Sequence, residues 1–405
     1  MQPSASSIGA TPAPAHAAPA AWGAVWALAL AAFALVASEF MPVSLLTPIA
    51  GELRISEGQA GQAIAVSGAF ALVTSLAVAR LAGRLDRKVL LLGLTLMMIV
   101  SATVAAFAPD YPVFMLGRAC IGVAIGGFWS MSAATAMRLV PAPLVPRALA
   151  IVNGGNALAT VVAAPAGSFL GALIGWRGAF FCIVPVAALA FAWKWVSLPP
   201  LPAQRRTGTA SDSRNDGMFA LLRRRGVAYG MAGVSVFFMG QFALFTYLRP
   251  FLETVTHVGV PAITGMLLAV GVAGVVGTTC IGRFLDAHLY RTLVAIPLAM
   301  ALLAVLLVAC GASAPAVAVL LALWGLVATA APVGWWTWLA RTLPDDAEAG
   351  GGLIVAVVQL AIGLGATLGG VLYDASGYRA TFGLGAVLLV GAAGLAALAG
   401  RAARP

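Results

Sequence analysis

Apolar residues run along this chain in stretches long enough to cross a bilayer, and short charged or Gly/Pro-containing turns divide them. The stretches fall at Trp22 to Ala50, Gly58 to Leu81, Val89 to Ala108, Pro112 to Val140, Pro146 to Ile174 and Gly178 to Val196. After a polar interval they resume at Gly226 to Thr254, Pro261 to Leu285, Thr292 to Gly311, Pro315 to Arg341, Gly350 to Tyr373 and Ala380 to Gly400. About 20 residues of α-helix span a hydrocarbon core of ~30 Å. The pattern therefore predicts an all-α membrane protein of twelve spans, with no room for a soluble domain between them.

Composition agrees with the pattern. The 405 residues are 61% hydrophobic and only 9% charged, where soluble domains carry about 25% charged residues. The first 21 residues contain no Lys or Arg, so they lack the charged start of a secretory signal and read as a disordered cytoplasmic tail. Cys120, Cys182, Cys280 and Cys310 stand singly in apolar segments, away from any histidine cluster. They suit helix packing, not a disulfide framework or a metal site. No GxxxxGK[ST] loop occurs, so ATP does not drive the cycle and no cofactor is expected.

A net charge of +10 in a soluble protein would raise nucleic-acid binding; here its placement argues otherwise. With the N-terminus in the cytoplasm, 18 of the 23 lysines and arginines fall in inside loops, linker and tail, Lys194 among them, and only Arg54, Arg118, Arg177, Arg249 and Arg379 fall elsewhere. That asymmetry places both termini in the cytoplasm. The Ser197 to Arg225 stretch, rich in Pro, Gly, Ser and Arg, reads as a cytoplasmic linker between bundles 22–196 and 226–405. Glycine-led turns ending in arginine recur as "ARLAGRLDRK", "GSFLGALIGWR", "GRFLDAHLYR" and "GGVLYDASGYR". Their arginines, Arg87, Arg177, Arg291 and Arg379, are spaced by 90, 114 and 88 residues. Three-helix units thus repeat in inverted order, as in secondary transporters.

Four three-helix units around a basic central loop resemble the major facilitator superfamily. The loop Ala79 to Lys88 is similar to that family's motif through Leu81, Arg84, Arg87 and Lys88, and departs from it at Ala79, Gly83 and Asp86. On the fourth span, Arg118, Gly122 and Gly126 match an Arg-x-x-x-Gly-x-x-x-Gly pattern, and Pro165 in "APAGSFLG" matches part of the antiporter motif of the fifth. The runs "EFMPVSLLTPIA", "GRACIGVAIGGFWSMSA", "GQFALFTYLRP" and "PVGWWTWLAR" are similar to purine-ribonucleoside exporters of the drug:proton antiporter group. The resemblance implies a proton-driven exporter of inosine- or guanosine-like solutes. It leaves open a sugar or multidrug exporter, or a membrane sensor that transports nothing. His16, His257 and His288 offer no triad or metal spacing, which disfavours an enzyme.

Glu39 lies well inside the first span, where a charge costs about 2.5 to 3.5 kcal/mol on insertion scales and needs a partner or a task. Arg118, in the same outer half of the membrane, is the expected partner, and the two form a candidate proton-coupling pair. A flat base and a polyhydroxylated sugar call for stacking rings and hydrogen-bonding amides. The candidates are Trp129, Phe245 and Trp336 with Asn153, Asn156, Gln241 and Gln359. Trp335 and Trp338 also suit an interfacial aromatic belt, and Arg249 with Glu253 reads as a snorkelling pair at the outer end of the seventh span. Pro42, Pro165, Gly122, Gly126 and Arg87 are expected to serve helix bending, close approach and gating. The expected partners are a neutral planar solute, protons and lipid, without nucleic acid, around a monomer.

Overall fold

A computed structural model describes residues 20–81, 85–202, 221–343 and 347–402, with side chains except at 79–81 and 347–349. Most of the expected tail, much of the expected linker, and Arg84 with Gly83 of the loop motif lie outside the described residues.

All regular structure among the described residues is helical. The first four spans are single helices: α1 (Trp22–Leu53), α2 (Glu57–Leu81), α3 (Arg87–Ala106) and α4 (Tyr111–Leu139). Aspartates set two of their starts. Asp86 accepts from the Lys88 amide at 2.7 Å, and Asp110 accepts from the Val113 amide at 3.0 Å, as N-caps do for orphan helix donors. There follow α5 (Val145–Phe181), α6 (Ile183–Ser197), α7 (Arg225–Phe245), α8 (Leu248–Thr254), α9 (Val260–Ala309), α10 (Ala314–Ala328), α11 (Ala331–Thr342) and α12 (Ala347–Ala402).

Three helices are too long for one crossing: α9 has 50 residues, about 75 Å at 1.5 Å per residue. Each breaks once, at Gly175 in α5 (φ 73°, ψ 165°), His288 in α9 (φ −146°, ψ 56°) and Gly377 in α12 (φ 75°, ψ −174°). Both glycines sit in the left-handed region that a side chain disfavours. They precede Trp176-Arg177 and Tyr378-Arg379 in two of the repeated turns, so the repeat in sequence is a repeat in backbone geometry. The chain reverses at these breaks. Thr381 donates to Gly369 O at 3.1 Å across Gly377, whereas twelve residues of unbroken helix would hold them about 18 Å apart. Resolved this way, the nine long apolar stretches among the described residues make twelve spans.

The spans form two bundles, each with its own apolar core. One core gathers residues between Ala24 and Leu201 together with Tyr247; the other gathers Leu221 to Ala396 with Val43, Ile64 and Ala164. Large apolar side chains remain outside, such as Val196 at 84% exposure and Val387 at 70%, as a lipid-facing surface requires. The bundles touch where Phe40 stacks on Phe242, Ser168 meets Thr264 and Gly58 meets Asp374. These contacts lie toward the end of the molecule where α1 turns into α2 at Arg54, called here the Arg54 end. The opposite end, where α3 begins, is the Arg87 end.

Candidate functional site

Two prolines of α1 create the site. A proline has no N–H, so in a helix the carbonyl four residues earlier loses its partner, and in lipid such an orphan costs several kcal/mol. Pro42 frees Ser38 O, and Pro48 frees Ser44 O. Each carbonyl is taken by an arginine from another helix. Arg118 Nη1 of α4 donates to Ser38 O at 2.8 Å, and Arg249 Nη1 of α8 donates to Ser44 O. The first contact stays within one bundle; the second joins the two.

Arg118 is 0% exposed. Besides Ser38 O, it donates from Nη2 to Glu39 O at 3.0 Å and Ser67 Oγ at 3.4 Å, and from Nε to Ala63 O at 3.2 Å. The guanidinium fork thus ties α1, α2 and α4 through main-chain oxygens, a geometry a lysine cannot reproduce. This corrects the expected carboxylate–guanidinium contact: Arg118 bonds the peptide oxygen of Glu39, and its charge reaches the carboxylate only through space. The Glu39 carboxylate, with the residue 4% exposed, faces instead the side-chain amide of Gln359 on α12. A buried acid of one bundle therefore faces an amide of the other.

Unmet acceptors lie on the helices that carry these residues and on α7. Among the described residues, Gln359 Oε1, Gln241 Oε1 and Ser38 Oγ are buried without a hydrogen-bond partner. Buried polar atoms are normally paired, so these oxygens are open to a further hydrogen-bond donor. Gln241 lies on α7 beside Phe242, whose ring stacks on Phe40 at 5.7 Å, and Phe245 meets Phe242 edge-on at 6.3 Å. The helices come close because glycines permit it. A Cβ on Gly68 would lie 2.9 Å from Gln359 O, and Cβ atoms on Gly122 and Gly126 would lie 2.3 and 2.2 Å from Ser67 O and Ala71 O.

Known proteins are similar to this chain in sequence and fold. The family model for the Major Facilitator Superfamily matches residues 28–351. The chain belongs to the Major Facilitator Superfamily. A Pseudomonas aeruginosa protein named transcription regulatory protein OpdE is 60% identical over 384 residues, 95% of each chain. The purine ribonucleoside efflux pump NepI of Salmonella enteritidis is 40% identical over 369 residues, 91% of each. Among solved structures, a bacterial homologue of the lysosomal transporter Spinster in an inward-facing, unoccupied conformation superposes with TM-score 0.79 at 16% identity, covering 95% of this chain and 98% of that one. A D-xylose-proton symporter superposes with TM-score 0.70 at 18% identity, covering 93% and 96%. These two show the fold.

In this superfamily member the remaining expected site residues lie away from Glu39. Trp129 stands eleven residues beyond Arg118 on α4, about 16 Å toward the Arg87 end, half-buried and edge-on to Phe128 at 5.4 Å. Asn153 is exposed and donates its amide to Leu149 O of its own helix at 3.0 Å, while Asn156 is half-buried. Trp336 is 47% exposed and lies near Gly351. Trp335 and Trp338 are buried at 2% and 1% exposure, packed on Phe237 and Gly230, which overturns the interfacial belt for these two. Pro165 frees Val161 O, and Gly271 of α9 approaches it so closely that a Cβ there would lie 2.9 Å away. Arg87 opens α3, its backbone amide donating to Leu201 O at 3.0 Å and its Nη1 lying 3.9 Å from Met131 Sδ.

Sequence reasoning missed three groups. Arg249 does not snorkel: it is 7% exposed and links Glu253 at 2.8 Å to α1. The clue was Pro48, which names the orphan carbonyl but not its partner. Asp374, in the fourth repeated turn, accepts from the Gly58 amide at 3.0 Å and from Ser56 Oγ. It sets a carboxylate of one bundle on the positive N-terminus of α2 in the other. Lys194, expected in an inside loop, is 0% exposed.

Proposed function

We propose that this transporter exports purine ribonucleosides, such as inosine and guanosine, in exchange for protons by alternating access, with Glu39 carrying the proton. The observation that carries the reading is the buried Glu39 carboxylate of one bundle facing the Gln359 amide of the other, with the unpartnered oxygens of Gln359 and Gln241 on the facing helices. An ionised Glu39 accepts the Gln359 amide and leaves that amide's oxygen without a donor. The N–H and O–H groups of a purine and its ribose supply donors, and the nearby rings of Phe40, Phe242 and Phe245 suit a flat base. A protonated Glu39 donates its own O–H into the same acceptor set. Proton and solute thus compete for one group of oxygens, which is the requirement of exchange.

In this reading the bundles 22–196 and 226–405 rock about the interface, with the linker 197–225 and both termini in the cytoplasm of a bacterial inner membrane. The Arg54 end is then outer, and its cross-bundle contacts through Asp374 and Arg249 form a closed outer gate. Trp129, Asn153, Asn156 and Trp336 line the path from the cytoplasmic side. Pro42, Pro165, Gly122 and Gly126 set the helix bends and crossings on which the bundles move, and Arg87 sits at the cytoplasmic hinge. The 40% identical relative named as a purine ribonucleoside efflux pump supports the solute class. The protein works as a monomer and binds no nucleic acid.

The 60% identical relative's regulatory name favours a second reading, a membrane protein that senses a solute without moving it. Inverted vesicles under an imposed proton gradient separate the two. Labelled inosine should accumulate in preference to a sugar or a cationic drug, and Glu39→Gln should abolish accumulation while leaving inosine counterflow intact. Binding without accumulation supports the sensor; undiminished gradient-driven uptake by Glu39→Gln removes Glu39 from the coupling role.

A further inference from the structure

Lys194 presents a problem that the site above does not absorb. Of the 23 lysines and arginines, only Lys88 and Lys194 are lysines. Lys194 lies three residues from the end of α6, about 4.5 Å from the Arg87 end along the helix. From there a lysine ordinarily runs its stem outward to water. Lys194 does the opposite. Its Nζ donates to Thr95 Oγ1 at 2.8 Å, and Thr95 lies eight residues into α3, about 12 Å from that end. The Thr95 hydroxyl already donates to Leu91 O at 2.8 Å, so it serves Lys194 as acceptor only.

Little else meets the ammonium. The Phe128 ring of α4 lies 5.2 Å from Nζ, a contact of cation–π type. Ala31 and Leu35 of α1, Leu94 and Met98 of α3 and Ala124 of α4 complete a void of about 10 Å³ beside it, the size of about one water. None of these neighbours on α1, α3 or α4 is titratable. An ammonium has three N–H donors and no acceptor, and among the described residues one oxygen and one ring face it. A buried arginine such as Arg118 is locked in its charged form, whereas a buried lysine can shed its proton.

We propose that Lys194 is a second proton-binding site of the transport cycle. The step is a proton transfer to bulk water that reaches Nζ when the bundles move: an Nζ–H bond breaks, its electron pair stays on nitrogen, and the proton leaves on that water. The site is placed to be felt by the transport machinery. Leu35 lies one turn from Glu39 on α1, and Phe128 meets Trp129 edge-on at 5.4 Å. The ionisation of Lys194 thus bears on the two helices that carry Glu39 and Arg118. Its place in the cycle rests on the proton-coupled reading; its ionisation does not.

The test uses full-length protein in detergent micelles with lysine carbon-13 labelled at Cε, which gives two resonances assigned by Lys88→Arg. The Lys194 resonance should move from the ammonium toward the amine position as pH is raised through the range where the protein stays folded, and should shift on adding inosine at fixed pH. A resonance fixed at the ammonium position under both treatments overturns the proposal. In vesicles, Lys194→Arg keeps the charge without the ability to shed it, so it should lose gradient-driven uptake and retain counterflow. Full uptake by Lys194→Arg shows a structural cation and also overturns it. The two readings fail separately. A fixed Lys194 resonance with Glu39→Gln inactive leaves Glu39 standing, while a responsive resonance with Glu39→Gln fully active removes Glu39 and leaves Lys194.

Discussion

Replacing Arg118 by Met in a Glu39→Gln background, which keeps the buried charge balanced, removes four donor contacts, but they are not equal. Glu39 O and Ala63 O retain their own helical partners, and Ser67 retains its bond to Ile64 O at 3.0 Å. Only Ser38 O is left bare, because Pro42 cannot supply the amide. An orphaned buried carbonyl costs about 1 to 3 kcal/mol. Pro42→Ala restores an N–H at the position to cap Ser38 O, so in the Arg118→Met background it should return about that amount. In the presence of Arg118 it should do little, since the carbonyl is already taken. The assay is a double-mutant cycle on denaturant unfolding in mixed micelles, and the expected coupling is about 1 to 3 kcal/mol. A coupling within about 0.5 kcal/mol, the range of independent sites, would refute the argument that Arg118 stands in for the missing proline amide. Should Arg118→Met not fold, the parallel cycle of Arg249→Met with Pro48→Ala at Ser44 O tests the same rule.

Asp374→Ala removes the carboxylate from the N-terminus of α2 and should loosen the Arg54 end; spin labels at Glu57 and Ser376 report it as a broadened, longer distance distribution. Gly126→Ala places a methyl where only 2.2 Å separates it from Ala71 O, and should destabilise by about 1 to 3 kcal/mol as overpacking does, read as a lower unfolding midpoint. Gly377→Ala forces a side chain into the left-handed region at φ 75°, costing about 1 to 2 kcal/mol by the same measurement. Protease should cut the Ser197 to Arg225 linker in inverted vesicles and spare it in right-side-out ones; cleavage from the periplasmic face alone would reverse the topology.

The spans were legible in the sequence because a bilayer has one dominant rule. An apolar run of about 20 residues must close its own hydrogen bonds, and a helix is how it does so. Two of the four repeated turns were legible for a related reason: Gly175 and Gly377 break their helices with left-handed backbone, and that requirement is written in the residue type. Glu39 announced itself by the cost of a charge within an apolar run. Partners were another matter. Each partner of the central site comes from a distant part of the chain, and nothing local distinguishes a carbonyl that will meet a guanidinium from one that will not. Only the packing of α1 against α4 and α8 showed that Arg118 and Arg249 cap carbonyls freed by proline. Only the tertiary structure brought Glu39 to face Gln359. Lys194 shows the limit most plainly. Three residues from a helix end, it reads as an inside-loop cation, and the direction of its flexible stem, inward to Thr95, is decided by the cavity the other helices leave.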